Sequence, residues 1–238
     1  MSAEYAVLIL LGFFTSVTSA VVGFGSAMLV LAIGPYFLPV REVIALSAVL
    51  FTASTLTKSV LFAKFVDWKL AGIMSTISFP FAYFGASIVS KTPIVVLERL
   101  LGGMILLYIA LNYSGLLRPW KLGAKSVFLG SAGYGFISGL LGSGNLVKAI
   151  VFKEMKLSKE SFVGAMAATS IFANLAKLTA YNQAGLLHSN LALPMVGLAV
   201  AAVLAVFTGR YLLRRVSTGQ FGAGVQIILA LSAIGLII

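Results

Sequence analysis

Two lysines stand inside apolar segments of the chain, where an ionisable side chain is rare. Lys58 lies in such a segment of the first half, and Lys177 follows 119 residues later in a segment of the second half. An ionisable group inside a membrane span costs about 2.5 to 3.5 kcal/mol on insertion scales and generally marks a substrate or ion pathway. The pair therefore indicates an anion site. The alternative is snorkelling, in which each ammonium group only reaches the interface.

A polar residue stands one helical turn before each lysine, Thr55 in the first half and Asn174 in the second. Because residues three or four apart share a helix face, these side chains are expected beside the ammonium groups. They favour a functional pair of lysines over snorkelling. A third lysine in an apolar segment, Lys148, has no basic counterpart in the first half. It either adds charge to the site or anchors one end of a helix.

The same shift of 119 residues aligns two glycine-rich segments, 19–26 and 138–145, and each contains a Gly-x-Gly step. Each step is followed by a residue that favours the N-cap position of a helix, Ser26 in the first half and Asn145 in the second. A half-helix that starts inside the membrane offers free N–H groups and a positive dipole end to an anion. Unpaired backbone is tolerated at that depth only where it is buried in protein or lines a cavity.

We therefore predict a substrate site near the midplane, between the two glycine breaks and the two lysines. Glycine in membrane helices more often serves close packing, as we expect for Gly135 and Gly139. Two breaks at matched positions nevertheless favour a binding site. The predicted site residues are Phe24, Gly25, Ser26, Ser143, Gly144, Asn145, Lys58, Lys177, Thr55 and Asn174.

Other kinds of chemistry find little support in the sequence. All six acidic residues lie at or beyond predicted helix ends, so no carboxylate is placed to relay protons or bind sodium inside the membrane. The chain has no cysteine, and its one histidine, His188, falls in a loop. A metal cluster and a Ser-His-acid set are therefore not expected. We expect no enzymatic activity, no catalytic residue, no bound metal and no cofactor.

The composition is that of an integral membrane protein. Apolar residues make up 60% of the chain and charged residues only 10%, against about 25% charged in ordinary globular proteins. The mean hydropathy is +1.07. A net charge of +11 could indicate nucleic-acid binding in a soluble protein, but here Lys and Arg stand at the ends of apolar stretches. Membrane topology explains that placement, so we expect no nucleic-acid partner.

Six apolar stretches have the length of one bilayer crossing, about 20 residues. They lie at about 43–62, 69–90, 95–113, 160–183, 189–213 and 219–238. Two longer stretches, at about 4–38 and 125–156, are each interrupted near the middle by the Gly-x-Gly step. Each half thus holds one broken element and three crossings. The sequence predicts an all-α polytopic membrane protein with two homologous four-element repeats, 1–113 and 125–238, joined by a linker at 114–124.

The positive charges bear on how the two repeats are oriented. If both broken elements cross the membrane the repeats are parallel, and if both are re-entrant the repeats are inverted. With the three lysines of the apolar segments set aside, eight crossings divide the cationic residues nine to five, whereas re-entrant elements divide them eleven to three. The second division fits the positive-inside rule better, so we favour inverted repeats with both termini outside. The cytoplasmic set is then Lys64, Lys69, Arg118, Lys121, Lys125, Lys153, Lys156, Lys159, Arg210, Arg214 and Arg215.

The chain resembles the sulfite exporter TauE/SafE family over nearly its whole length. The resemblance rests on two half-chains that each open with a helix of small residues running into a glycine-rich break, as in residues 135–144. The family pattern has a further glycine after each Gly-x-Gly step, where this chain has Ser26 and Asn145. The departure concerns substrate identity, since those side chains would face the ligand. The resemblance implies transport of sulfite or a small organosulfur anion, such as sulfoacetate or a sulfonate, across the cytoplasmic membrane of a prokaryote.

Three functions compete on the sequence. The first is a secondary transporter for a small anion, the second a passive anion channel, and the third a structural membrane protein, which would have no use for polar residues at two breaks. We rank them in that order. The expected partners are a small anionic substrate and the lipid bilayer of the inner membrane, and a homo-oligomer is compatible with the sequence.

Overall fold

The computed structural model describes residues 3–22, 27–113, 123–153, 155, 157–213 and 236. Within these ranges the regular secondary structure is helical, with short 3-10 turns between some of the helices. The α-helices are α1 (Ala3–Val22), α2 (Ala27–Ile33), α3 (Val40–Leu61), α4 (Trp68–Ser87), α5 (Ile94–Tyr113), α6 (Ala124–Leu141), α7 (Asn145–Lys153), α8 (Lys159–Ala168), α9 (Ile171–Gln183) and α10 (Ala192–Leu213). The all-α prediction is confirmed.

Six helical segments of the described residues are long and apolar enough to cross a membrane, as expected for a multi-pass membrane protein. They are Ala3–Ala20, Val40–Leu61, Trp68–Lys91, Ile94–Leu111, Lys159–Gln183 and Ser189–Leu212. The last five correspond to predicted crossings. The predicted crossing at 219–238 lies outside the described residues except for Leu236, and the linker at 114–124 does so except for its last two residues.

The first predicted broken element, 4–38, consists of α1 and the short α2, and its break at 23–26 lies outside the described residues. α1 alone has the length of a crossing. α2 then runs back along α1, because Gly34 just after α2 lies beside Leu8 near the start of α1; a Cβ on Gly34 would be 3.4 Å from the Leu8 Cδ1 atom. The element therefore begins and ends at the same end of the bundle.

The second predicted broken element, 125–156, has the same form. Val147 of α7 faces Gly133 of α6, and Val151 faces Gly130, so residue numbers rise along α7 as they fall along α6. α6 and α7 are therefore an antiparallel pair joined by the Gly-x-Gly step.

The predicted crossing at 160–183 is interrupted, a feature that the sequence pattern does not indicate. α8 and α9 are separated by a turn at Thr169 and Ser170. The Ser170 amide donates to the carbonyl of Ala167 at 2.9 Å, so the regular helical bond to Met166 is lost at this point. The break has no glycine or proline, and the apolar pattern continues across it, so periodicity gave no sign of it.

Helix directions follow from a few close contacts. A Cβ on Gly135 of α6 would collide with the carbonyl of Ser78 in α4, and a Cβ on Gly139 with that of Ala82, so α6 runs parallel to α4. The expected close-packing role of these two glycines is confirmed.

α3 and the α8–α9 pair run in opposite directions. Phe62, just after α3, contacts Gly164 of α8, whereas Thr55 within α3 contacts Asn174 of α9. The largest apolar cluster of the protein fills the space beside this crossing and draws on α2, α3 and α5, with Leu31, Ile44 and Leu101 fully buried. The antiparallel crossing places the middle of α3 against the middle of the α8–α9 pair, where the site lies.

The described cationic residues concentrate at one end of the bundle, which we call the basic end. The Arg210 guanidinium lies 5.8 Å from the Phe62 ring, which joins the end of α10 to the end of α3. At the opposite end, Arg41 donates to the Thr92 carbonyl at 2.6 Å and joins the starts of α3 and α5. The basic end holds Lys64, Lys69, Lys125, Lys153, Lys159 and Arg210, and the opposite end holds Arg41, Lys91 and Arg99.

Candidate functional site

The break between α6 and α7 directs the start of α7 into the bundle. Gly142 ends α6 in the left-handed region, at φ 82°, which favours glycine. Gly144 is pressed against α6, and a Cβ there would lie 2.6 Å from the Tyr134 carbonyl oxygen. α7 begins at Asn145, so Asn145 is the first helical residue and the preceding glycine occupies the N-cap position. The turn therefore requires both of its glycines.

A cavity of about 40 Å³ lies where α1, α3, the α6–α7 break and the α8–α9 pair meet. A void of this size can hold a few water molecules or one small anion. Its described lining contains no aspartate or glutamate. The polar lining residues are Thr15, Ser16, Ser19, Ser54, Thr55, Lys58, Tyr134, Ser138, Ser143, Asn145, Ser170, Asn174 and Lys177.

Lys58 and Lys177 both point into this cavity, with exposed fractions of 6% and 1%. The Lys58 ammonium donates to the Ser19 hydroxyl at 3.1 Å, and the Lys177 ammonium donates to the Gly142 carbonyl at 2.9 Å. Lys177 also lies 5.7 Å from the centre of the Phe51 ring. An ammonium group has three N–H donors. In each lysine two of these donors bond no described residue, so they remain for a ligand. The geometry is not that of snorkelling, which would turn both ammonium groups outward.

Thr55 and Asn174 meet directly beside the lysines. The Asn174 side-chain amide donates to the Thr55 hydroxyl at 2.9 Å and to the Phe51 carbonyl at 3.4 Å. Thr55 and Asn174 are 119 residues apart, the same spacing as the two lysines. Positions related by this spacing are therefore in contact where α3 crosses α9.

Lys148 is fully buried but lies behind the wall of the cavity. Its ammonium donates to the Met166 carbonyl at 2.7 Å, to the Thr169 hydroxyl at 3.3 Å and to the Ser170 hydroxyl, and it lies 4.0 Å from the centre of the Tyr134 ring. These acceptors occupy all three of its N–H donors. The Met166 carbonyl loses its helical partner at the α8–α9 break and accepts instead from the Lys148 ammonium and, at 2.8 Å, from the Ser170 hydroxyl. Lys148 and Ser170 together satisfy this freed backbone group.

Ser75 of α4 occupies the same break from another side. Its hydroxyl accepts from the Phe172 amide at 3.1 Å and donates to the Ala168 carbonyl at 3.5 Å. A continuous helix would pair these two backbone groups with each other. Side chains of α4, of α7 and of the turn itself thus replace the backbone bonds that the break removes, as the interior of a bilayer requires.

Ser143 has a buried hydroxyl that lines the cavity and has no hydrogen-bond partner among the described residues. Leaving such a group unpaired costs about 1 to 3 kcal/mol. It stands two residues before the start of α7, where the first amide groups of the helix also lack helical acceptors. A ligand with several acceptor oxygens would fit this corner of the cavity.

The structure gathers most of the predicted site residues around one cavity. Ser143, Asn145, Lys58, Lys177, Thr55 and Asn174 all line it. Gly144 instead packs against α6. Phe24, Gly25 and Ser26 lie outside the described residues.

Several serines of the cavity wall were missed from the sequence, most clearly Ser19 and Ser138. They head the two aligned glycine-rich segments, one helical turn before each break, so their matched position was the signal that could have identified them. The sequence gives no such signal for Ser16 and Ser170, because small residues such as serine commonly pack at contacts between membrane helices.

A multi-pass helical bundle with a cationic cavity buried among its spans is typical of membrane proteins that move anions. The profile of the family Sulfite exporter TauE/SafE matches residues 8–236, so the chain belongs to this family of membrane transporters. The resemblance seen in the sequence is confirmed. Neither the curated proteins nor the solved structures contain a significant match to the chain.

Proposed function

We propose that this protein is a secondary transporter that binds one small anion, sulfite or a small organosulfur anion, between Lys58 and Lys177. The observation that carries the proposal is the pair of buried ammonium groups facing one cavity whose described lining has no carboxylate. Two buried cations without a counter-charge are costly, and a bound anion removes that cost. The family supplies sulfur as the central element of the anion.

The donors around the cavity suit an oxyanion. Each lysine has two N–H donors left among the described residues, the Ser143 hydroxyl is unpaired, and the start of α7 adds roughly half a positive charge. A pyramidal or tetrahedral oxyanion accepts several hydrogen bonds at once, so it can use these groups together. The Asn145 side chain then contributes to the choice among such anions.

The helix directions support inverted repeats and alternating access. α3 and α8–α9 occupy equivalent places in the two halves, run antiparallel, and touch at the equivalent positions Thr55 and Asn174. Inverted repeats with broken helices are characteristic of carriers whose site lies near the bilayer midplane. In this arrangement Lys58 and Lys177 approach the anion from opposite sides of the membrane, and each faces one vestibule in turn.

The charge distribution supports an orientation in the cytoplasmic membrane. Six described cationic residues lie at the basic end and three at the other, as expected if the basic end is cytoplasmic. The re-entrant assignment places the same six residues in the cytoplasm. We accordingly place this protein in the inner membrane with its first residues outside.

The test is sulfite counterflow in proteoliposomes. Uptake of labelled sulfite should saturate and should accelerate when unlabelled sulfite is trapped inside, because a carrier returns faster when loaded. Lys58→Met and Lys177→Met should each weaken sulfite binding about tenfold or more, since a hydrogen bond to a charged group contributes roughly 1.5 to 3 kcal/mol.

Lys69→Met is the matched control, because Lys69 is an exposed lysine at the basic end. It should leave sulfite affinity unchanged. Sulfite flux that neither saturates nor shows counterflow would indicate that the protein is a channel and not a carrier. Normal affinity in both cavity variants would remove the lysines from the site.

A further inference from the structure

A second cavity of about 80 Å³ lies between the central cavity and the basic end. It extends from Asp67, which is exposed, past Leu70 and Met155 to Thr169, which is fully buried. Most of its wall is apolar and is formed by α4, the end of α7 and α8. This cavity therefore begins at the basic end of the bundle and ends at the α8–α9 break.

The two cavities lie on opposite faces of the same helical turn. Ala165 and Thr169 line the second cavity, whereas Met166 and Ser170 line the central one. Lys148 donates to the hydroxyls of both Thr169 and Ser170. The barrier between the cavities is thus one broken turn of helix, which contacts α7 through the Lys148 ammonium and through the apolar packing of Phe152 against Met166.

We propose that the second cavity is the route by which the transported anion reaches the basic end, and that Lys148 keeps this route closed in the present structure. The inference rests on the proposed function. To open the route, the turn at Thr169 and Ser170 moves away from α7, and the three bonds of Lys148 are the hydrogen bonds that resist that movement. An anion that passes through takes the place of the Thr169 hydroxyl, which is the most distant of the three acceptors of Lys148. The Lys148 ammonium group therefore keeps all three of its N–H donors bonded.

The break makes such a movement possible. Elsewhere in α8 and α9 a displacement would stretch regular backbone bonds, but at this turn the freed backbone groups are already paired by the side chains of Lys148 and Ser75. A helix bends most readily where its hydrogen-bond ladder is interrupted. Lys148 is therefore a positioning residue, distinct in role from Lys58 and Lys177, which face the ligand.

Cysteine labelling tests the gate, because the chain has no native cysteine. Ala165→Cys and Ala167→Cys place a thiol in the second and the central cavity, respectively. A charged, membrane-impermeant methanethiosulfonate reagent is added from the basic side only. Ala165→Cys should react readily in every background. Ala167→Cys should react slowly with Lys148 present and about tenfold or more faster with Lys148→Ala, because a charge-assisted bond that contributes at least 1.5 kcal/mol is lost.

Two further variants separate gating from misfolding. Lys148→Arg keeps a cation of similar reach and should keep Ala167→Cys slow. Thr169→Val keeps the shape of the turn, removes one acceptor, and should raise the Ala167→Cys rate to an intermediate value. The proposal would be overturned if Ala165→Cys did not react. It would also be overturned if neither Lys148→Ala nor Thr169→Val changed the labelling rate of Ala167→Cys.

Labelling does not depend on transport, so the gate and the proposed function can fail separately. Sulfite itself would react with the methanethiosulfonate, so the ligand used here is methanesulfonate, a small sulfonate that does not. Saturating methanesulfonate should slow Ala167→Cys in the Lys148→Ala background and leave Ala165→Cys unaffected. Labelling that follows Lys148 but is unchanged by methanesulfonate would overturn a small sulfonate as the ligand and leave the gate standing.

Discussion

The three buried lysines differ in how many of their donors are already used. Lys148 has three acceptors in one turn of helix, whereas Lys58 and Lys177 have one each among the described residues. An ammonium whose donors are all used is suited to holding structure, and one with free donors is available to a ligand. The sequence indicated that all three were unusual, but only the acceptors around each lysine separate their roles.

Asn145 and Gly144 are neighbours with different tasks. Asn145→Gly removes a side chain from the cavity wall and restores the glycine of the family pattern, so transport should persist with an altered ratio of sulfite to sulfate uptake. Uptake assays measure this ratio.

Gly144→Ala should lower the free energy of unfolding by about 1 to 3 kcal/mol, because its Cβ would lie 2.6 Å from the Tyr134 carbonyl oxygen. Thermal unfolding in detergent measures this loss.

Gly133→Ala is the control for Gly144→Ala. A Cβ at Gly133 would lie 3.8 Å from Val147, an ordinary contact, so that variant should stay stable. The sequence placed Gly144 in the predicted anion site. In the structure the glycine is required for another reason, the close approach of α6. Equal stability of Gly144→Ala and Gly133→Ala would contradict it.

Among the elements, the α6–α7 pair could be predicted and the α8–α9 break could not. Glycine identifies the first break, because few other residues adopt the backbone of Gly142. The second break depends on hydrogen bonds from Lys148 and Ser75, which are distant in sequence, as well as from the Ser170 hydroxyl of the turn. A polar pair such as Thr169 and Ser170 commonly sits in an uninterrupted helix, so sequence alone does not reveal such a break.

Ser75→Ala should destabilise the protein, since the Phe172 amide and the Ala168 carbonyl would lose their shared partner. The expected loss is about 1 to 3 kcal/mol, the usual effect of leaving buried polar groups unpaired. Ser87→Ala is the control on the same helix, because the exposed Ser87 hydroxyl bonds only carbonyls of its own helix. Thermal unfolding in detergent should separate them, and equal unfolding temperatures would mean that Ser75 does not support the break.

At the scale of the molecule, the orientation of the repeats has a direct test. Inverted repeats place Lys91 and Lys159 on opposite sides of the membrane, whereas eight crossings would place them on the same side. Single cysteines at these positions should therefore label from opposite sides, Lys159→Cys from the cytoplasm and Lys91→Cys from outside. Labelling of both from one side would restore the parallel arrangement.

Part of the whole-molecule organisation could be inferred because matched residues recur in the sequence at a spacing of 119. The spacing of 119 residues gave the lysine pair and the breaks, and charge counting favoured the orientation that the helix directions support. The sequence does not specify how closely the helices approach one another. The contact of Thr55 with Asn174 and the wall formed by Ser19 and Ser138 depend on how closely antiparallel helices approach, which small residues permit but do not specify.

The central claim is that one small oxyanion binds between Lys58 and Lys177. Its most direct test is a crystal structure with selenite, the heavier analogue of sulfite, located by the anomalous signal of selenium. The account predicts one selenium peak in the central cavity, with selenite oxygens within hydrogen-bonding distance of the ammonium groups of Lys58 and Lys177 and of the Ser143 hydroxyl. A peak elsewhere in the protein, with the central cavity free of selenium, would contradict it.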